Sequence, residues 1–262
     1  MSYSLNDPVT LTLFVIKLVT VVFSFVLAFR IRKQSNYVLN RLLFAGLMGW
    51  GGYITLDTIL YPIAPLSPTL FIVANVLRHF SMVSIGIVPI AFFLAAQVIK
   101  NGEDMALRQR RKQVIFWTCV NIALITALIF TDSIVVYNIG PPAKLINPST
   151  LPPAPGVNYN VNFDTFSVKG QVAFFLYLGY CVWFVGDVII MGTVIAKQRG
   201  PARLRSVLLM LGMLMIPLGI SYFVIVGFVP MPIGIRNVLT IGGQLVWAAS
   251  PILAYSGFAI KT

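Results

Sequence analysis

Seven continuous apolar runs dominate the chain, and a run of about 20 apolar residues is what a helix needs to cross the roughly 30 Å hydrocarbon core of a bilayer. They extend from Pro8 to Phe29, Leu42 to about Ile63, Leu70 to Ile99, Val114 to Tyr137, Gln171 to Ala196, Ser206 to Val229 and Asn237 to Ile260. Their apolar residues do not alternate at every second position, which predicts helices rather than the strands of a barrel. Of the 262 residues, 58 % are hydrophobic and 10 % charged, whereas a water-soluble domain carries about 25 % charged residues. Mean hydropathy is +0.89. The expectation is a single all-α domain over residues 1–262, a seven-transmembrane-helix bundle in the cell membrane.

Orientation follows from the basic residues. Arg30, Arg32, Lys33, Arg41, Lys100, Arg108, Arg110, Arg111, Lys112, Lys197, Arg199, Arg203, Arg205 and Lys261 make fourteen of the nineteen, all in alternate loops or at the carboxyl end. Only Lys144, Lys169 and Arg236 fall on the other side. The positive-inside rule then places the amino terminus outside and the carboxyl terminus in the cytoplasm. The formal charge of +12 is thus mainly a topology signal. Charges in short juxtamembrane loops form no folded basic face for nucleic acid, and anionic lipid headgroups are their expected neighbours.

Several chemistries lack their residues. The first apolar run is too long for a signal peptide and has no small-residue cleavage site. Cys119 and Cys181 both fall inside predicted helices, where buried packing is the expected role. His79 is the single histidine and cannot alone hold zinc or haem. There is no phosphate loop, nucleophile elbow or metal-ligand cluster, so neither catalytic activity nor a cofactor is expected. Pro148 in the middle of the Asn147 triplet rules out glycosylation there.

Residues 138–169 form the single long connection. GPPAKLINPSTLPPAPG carries six prolines and is expected to be extended or turning, while VNYNVNFDTF alternates and suits a short strand or hairpin. A lid, a ligand contact, a docking surface and a plain spacer all fit this composition.

The ionisable groups inside the runs carry the most information, because each costs about 3 kcal/mol on insertion scales unless paired or wet. They are Lys17, Asp57, Arg78, His79, Asp132 and Asp187. Counting at about 1.5 Å per residue puts all but Asp187 in the outer half at similar depth. Gly46, Gly49, Tyr53, Asp57 and Tyr61 share one stripe of the second helix, and Asn75, Arg78, His79 and Met82 one of the third. Tyr222 and Gln244 approach the same depth from the sixth and seventh. Together Lys17, Tyr53, Asp57, Asn75, Arg78, His79, Asp132, Tyr222 and Gln244 are expected to line an outward-facing polar cavity, with Lys17 or Arg78 paired to Asp57. The alternative is a set of structural ion pairs without a ligand. Asp187 lies deeper, and Arg203 or Arg205 is its expected partner.

Gly179, Gly186 and Gly192 in the fifth run, with Gly212 and Gly219 in the sixth, predict flat faces for close backbone approach. Pro89, Pro217 and Pro251 fall within helices and are expected to kink them.

Seven helices with an outer amino terminus is also the plan of rhodopsins and G-protein-coupled receptors, but their residues are missing. Residues 237–260 hold no lysine for a Schiff base, the third run opens SPTLFIV and closes AQVIKNGED, and the seventh has SPILAY in place of an Asn-Pro-x-x-Tyr run. The segments ARLRSVLLMLGMLMIPLGISYFVIVGF and WAASPILAYSGF resemble the seven-helix amino-terminal sensor region of bacterial and archaeal histidine kinases. That resemblance implies ligand sensing in the outer half and signalling inward. Such proteins continue into a kinase where this sequence stops at Thr262, so the output is expected from a protein partner in the membrane or cytoplasm. The resulting expectation is a receptor-like sensor of a small ligand or lipid. A non-catalytic subunit of a membrane complex is the alternative, and a small transporter a further one, without the internal repeat or broken helices of that class.

Overall fold

The computed structural model describes residues 8–34, 37–102, 111–138, 144–164, 166–228 and 231–260. Arg108, Arg110 and Lys261 of the basic segments, residues 139–143 of the long connection and the expected sixth-run end at Val229 lie outside them. Seven long apolar helices are present: α1 (Pro8–Gln34), α2 (Val38–Ile63), α3 (Pro68–Asn101), α4 (Arg111–Thr131), α5 (Val168–Ile195), α6 (Gly200–Phe228) and α7 (Ile233–Ala259). Each is long and apolar enough to cross a membrane. Between α4 and α5 lie three strands, β1 (Ile134–Asn138), β2 (Lys144–Leu145) and β3 (Tyr159–Phe163).

Helices α2 and α3 form the centre. They pack on each other along their length, α1 lies against α2 and α7, and α4, α5 and α6 complete the surround. The core contains Leu43, Leu47, Trp50, Ile54, Met82, Ile85, Val88 and Phe92, while α1 turns Leu11, Val15, Leu18 and Val22 outward, as a lipid-facing helix does. Hydroxyls within the bundle are satisfied by their own helices: Thr20 donates to the Ile16 carbonyl, Ser24 to Thr20 and Thr58 to Ile54.

The small-residue stripe of α2 works as expected. A Cβ at Gly46 would sit 2.8 Å from the Phe92 ring, and one at Gly49 would sit 2.7 Å from the Ser84 carbonyl oxygen. Gly212 and Gly219 of α6 do the same against α7, where a Cβ at Gly219 would overlap the Trp247 indole at 2.1 Å. The α5 glycines differ from expectation. Among the described residues Gly179 has its nearest neighbour at 4.0 Å, and Cβ atoms at Gly186 and Gly192 would meet nothing within 4 Å, so no described helix uses these faces for close approach. Pro89, Pro217 and Pro251 lie inside α3, α6 and α7.

The fourth apolar run is a helix only to Thr131. Its continuation, Ile134–Asn138, is strand β1, pairing antiparallel with β3 from Ile134 opposite Phe163 to Asn138 opposite Tyr159. A β-branched apolar stretch reads equally as helix or buried strand by hydropathy; the Asp132–Ser133 break decides it. The expected strand in the asparagine-rich segment therefore exists, but its partner comes from the end of the fourth run. Ile134, Val136 and Val161 point inward and, with Leu151, pack on Leu60, Tyr61, Ala64 and Ala74 at the ends of α2 and α3. Ser67 caps α3 through the Leu70 N–H at 3.1 Å, and Ser167 caps α5 through the Gly170 N–H at 3.1 Å.

Two expectations follow. Ser149 is exposed at the sheet end and Lys100 at the opposite, basic end of α3, so single cysteines there should label from opposite faces of a membrane, and labelling from one face would break the seven-span topology. A Cβ at Gly170 would fall 1.7 Å from the Asp164 carbonyl oxygen. Gly170→Ala should cost about 3 kcal/mol in thermal unfolding, with Gly186→Ala near neutral as its control.

Candidate functional site

Two cations and two carboxylates inside the sheet-end half of the bundle meet in one network. Lys17 Nζ on α1 donates to Asp57 Oδ2 on α2 at 2.6 Å. The other Asp57 oxygen, Oδ1, lies 3.4 Å from Nη1 of Arg78 on α3. Arg78 Nε donates to Asp132 Oδ2 at 2.6 Å, and its Nη2 donates to the Tyr177 hydroxyl on α5 at 2.8 Å. That hydroxyl donates in turn to Asp132 Oδ2 at 2.8 Å and lies 3.1 Å from the Met82 sulfur. Both expected partners of Asp57 are therefore present at once.

Depth and helix phase bring these groups together. Arg78 stands ten residues into α3 and Tyr177 nine into α5, which is about 15 Å and 13.5 Å from their starts. Asp132 is the residue at which α4 stops. Asp57, Arg78 and Asp132 are 4 %, 3 % and 3 % exposed and the Lys17 side chain 12 %, so the pairs of Arg78 are buried and Lys17 stands at the edge of the network. In surroundings this apolar an isolated charge costs several kcal/mol, and only close pairing with further hydrogen bonds offsets it. The count balances, two cations against two carboxylates. Lys17, at the edge, also lies 5.1 Å from the centre of the Tyr61 ring.

Tyr53 sits one turn from Asp57, close enough to interact electrostatically with Asp57 and Arg78. Its ring stacks on Trp50 at 5.6 Å between centroids, and Trp247 meets Trp50 edge-on at 5.2 Å and Phe223 at 4.5 Å. Trp247 is seated in the notch left by Gly219, with its Nε1–H donating to the Ile216 carbonyl at 3.0 Å. Charge network and aromatic cluster thus meet at Tyr53.

Other predicted residues take different places. Asn75 is a tether: its Oδ1 accepts from the Ile134 N–H at 3.0 Å and its Nδ2 donates to the Phe71 carbonyl at 3.1 Å, fixing the start of β1 to α3. His79 is half-buried beside Arg78 and makes none of the network's bonds. Tyr222 packs against the glycines of α7, 3.1 Å from a Cβ at Gly243, and Gln244 is buried at 4 % exposure; neither bonds to the network.

Asp187 corrects an expectation. It is 1 % exposed, and among the described residues both its oxygens lack hydrogen-bond partners. Eight residues, about 12 Å of helix, separate it from the end of α5, whereas Arg205 turns to the Phe258 ring of α7, 5.8 Å away. Tyr177 is the member of the network that sequence reasoning missed. A depth count extended from charged residues to tyrosines finds it.

The chain matches no family model and no curated protein.

Removing one partner from a buried pair strands the other. Asp57→Asn is expected to cost about 3–5 kcal/mol, and adding Lys17→Met should recover part of the loss because the stranded ammonium goes with it. Unfolding midpoints of both single variants and the double variant in detergent measure the coupling. Strictly additive losses would show that the two residues do not interact. Tyr177→Phe leaves two charged groups short of a hydrogen bond and should cost about 1–3 kcal/mol.

Proposed function

We propose that this is a receptor-like membrane protein without catalytic activity, which senses a small molecule or lipid headgroup at the sheet-end network and signals through a partner at the basic, cytoplasmic end. The observation that carries this reading is the neutral cluster of Lys17, Asp57, Arg78 and Asp132, which ties α1, α2, α3 and the end of α4 together inside the bundle. Balanced charge favours a zwitterionic or weakly polar ligand over a strongly anionic one. Such a ligand offers each displaced charge a substitute, and its differential affinity for the two pairings would shift the helices that carry them. The aromatic group of Trp50, Tyr53, Trp247 and Phe223 extends the polar groups with the apolar lining usual in small-molecule sites. Resemblance of α6 and α7 to kinase sensor regions supports the same reading.

A second reading, a non-catalytic subunit of a membrane complex, is favoured by the outer faces of α4 and α5. Their spans bury only 17 % and 24 % of the residues within the chain, and the unoccupied Gly186 and Gly192 on α5 suit a neighbouring helix.

Protein in neutral-lipid nanodiscs, screened by thermal shift against amino acids, betaines and phosphocholine, tests the sensor. A compound that raises the midpoint of the wild type and not that of the Lys17→Met, Asp57→Asn double variant is the expected result. An unchanged response in the double variant overturns the site. No response to any compound, together with stoichiometric membrane proteins retained through native purification, favours the subunit.

A further inference from the structure

The buried stripe of α5 holds one group without a match among the described residues. Tyr180, Phe184, Asp187, Met191 and Val194 recur at three and four residues, and all are buried, Asp187 at 1 % exposure. Tyr180, Phe184 and Met191 pack in the apolar core with Ile85 and Phe92 of α3 and Leu209 and Met213 of α6. Even the Tyr180 hydroxyl is served there: it donates at 2.7 Å to the Ile85 carbonyl, whose own helical N–H partner Pro89 removes. Asp187 has no such arrangement. Among the described residues neither of its buried oxygens has a hydrogen-bond partner, and none of the three ion pairs includes it. The titratable groups of the adjoining helices are spent or exposed. On α3, Arg78 is held by Asp57, Asp132 and Tyr177, His79 lies beside it in the sheet-end half, and Lys100 is exposed. On α4, Arg111, Lys112 and Cys119 are exposed. On α6, Arg203 is exposed, Arg205 lies on the Phe258 ring and Tyr222 packs at Gly243. Tyr180, on α5 itself, is close enough to interact electrostatically with Asp187, and its proton is already donated.

An unpaired carboxylate within a membrane-spanning helix is among the least favourable placements a chain can make. A basic side chain, a metal ion or a proton relieves it. No described basic side chain pairs with it. A metal ion needs several ligands, and among the described residues no group of three or more His, Cys, Asp or Glu could hold one. A proton needs one carboxyl only. Its chemistry also fits the surroundings, because protonation turns a pure acceptor into a donor. A donor on a helix can return to a carbonyl of its own preceding turn, as Thr20, Ser24 and Thr58 do in this bundle; an ionised carboxylate gains nothing from carbonyls. We propose that Asp187 is a proton-binding site, which holds its proton while α5 is seated on α3 and α6 and releases it when α5 separates far enough for water to reach the carboxyl. On release the O–H bond breaks, the electron pair stays on the carboxylate and water takes the proton. The site stands apart from the network at the sheet end and holds or fails independently of the sensing role.

Infrared difference spectra of the full-length protein in neutral-lipid nanodiscs, wild type minus Asp187→Asn, read the carboxyl directly. The expected result at neutral pH is the carbonyl stretch of a protonated carboxyl, present in the wild type and lost in the variant; a carboxylate band in its place overturns the proposal. Thermal unfolding in detergent gives a second reading. Asp187→Asn keeps the shape and neutrality of the protonated acid, so at neutral pH it should be at least as stable as the wild type. A variant that is markedly less stable, or does not fold, would mean an ionised carboxylate with a partner and overturns the site. In the unfolded chain the carboxyl ionises above about pH 4, so the folded wild type binds one proton more and its stability falls as pH rises. Relative to the variant, its folding equilibrium should weaken by up to tenfold for each pH unit between about pH 5 and pH 8. The same pH dependence in both proteins counts against the site. Sodium or potassium chloride that raises the wild-type midpoint and abolishes the protonated band would assign the position to a metal ion, which also overturns the proposal.

Discussion

Arg78 is the group around which the sheet-end half is arranged. A guanidinium held about 15 Å along a membrane helix cannot give up its charge, so the bundle must surround it with acceptors. It does so from three separate segments: Asp57 on α2, Asp132 at the end of α4 and Tyr177 on α5. Asp57 has a second oxygen free, and Lys17 on α1 fills it. Each helix that supplies an acceptor is thereby fixed in depth and rotation, because a slip of one residue turns its side chain by about 100° and leaves a charge unpaired. Hydrophobic burial gives little such discrimination between helices when lipid is as apolar as leucine.

Asp132 carries the arrangement into the sheet. Two residues after it β1 begins, tied to α3 by Asn75, and the N–H of Asp164 after β3 returns to the Ser133 carbonyl at 2.8 Å. Asp164 also accepts from the N–H groups of Phe166 and Ser167, setting the turn into α5 where Gly170 leaves room for its carbonyl. Strand pairing, the α4 terminus and the entry to α5 therefore converge on the few residues beside the network. The sheet covers the ends of α2 and α3, its apolar side pressed on Leu60, Tyr61 and Ala74.

Much of this was legible because lipid penalises error heavily. Continuous apolar runs admit only helices, and a charge inside one demands a partner at equal depth, so counting alone groups Lys17, Asp57, Arg78, His79 and Asp132, of which His79 makes none of the network's bonds. The rest lacked such a penalty. Tyr177 is neutral and raised no alarm, and Trp247 reads as one more apolar residue until Gly219 opposite it is known. Residues 134–137, Ile-Val-Val-Tyr, satisfy helix and strand equally, so the fourth run was read six residues too long. For Asp187 the nearest basic residues in sequence lie beyond the end of its own helix, and proximity along the chain gave no guide to contact.

In the sheet-end network the charges saturate one another: Arg78 has three partners, each Asp57 oxygen has a cation, and Asp57, Arg78 and Asp132 are at most 4 % exposed. A molecule entering there must substitute for an existing partner, since separation without replacement costs about 3–5 kcal/mol, and substitution moves whichever helix carried the displaced group.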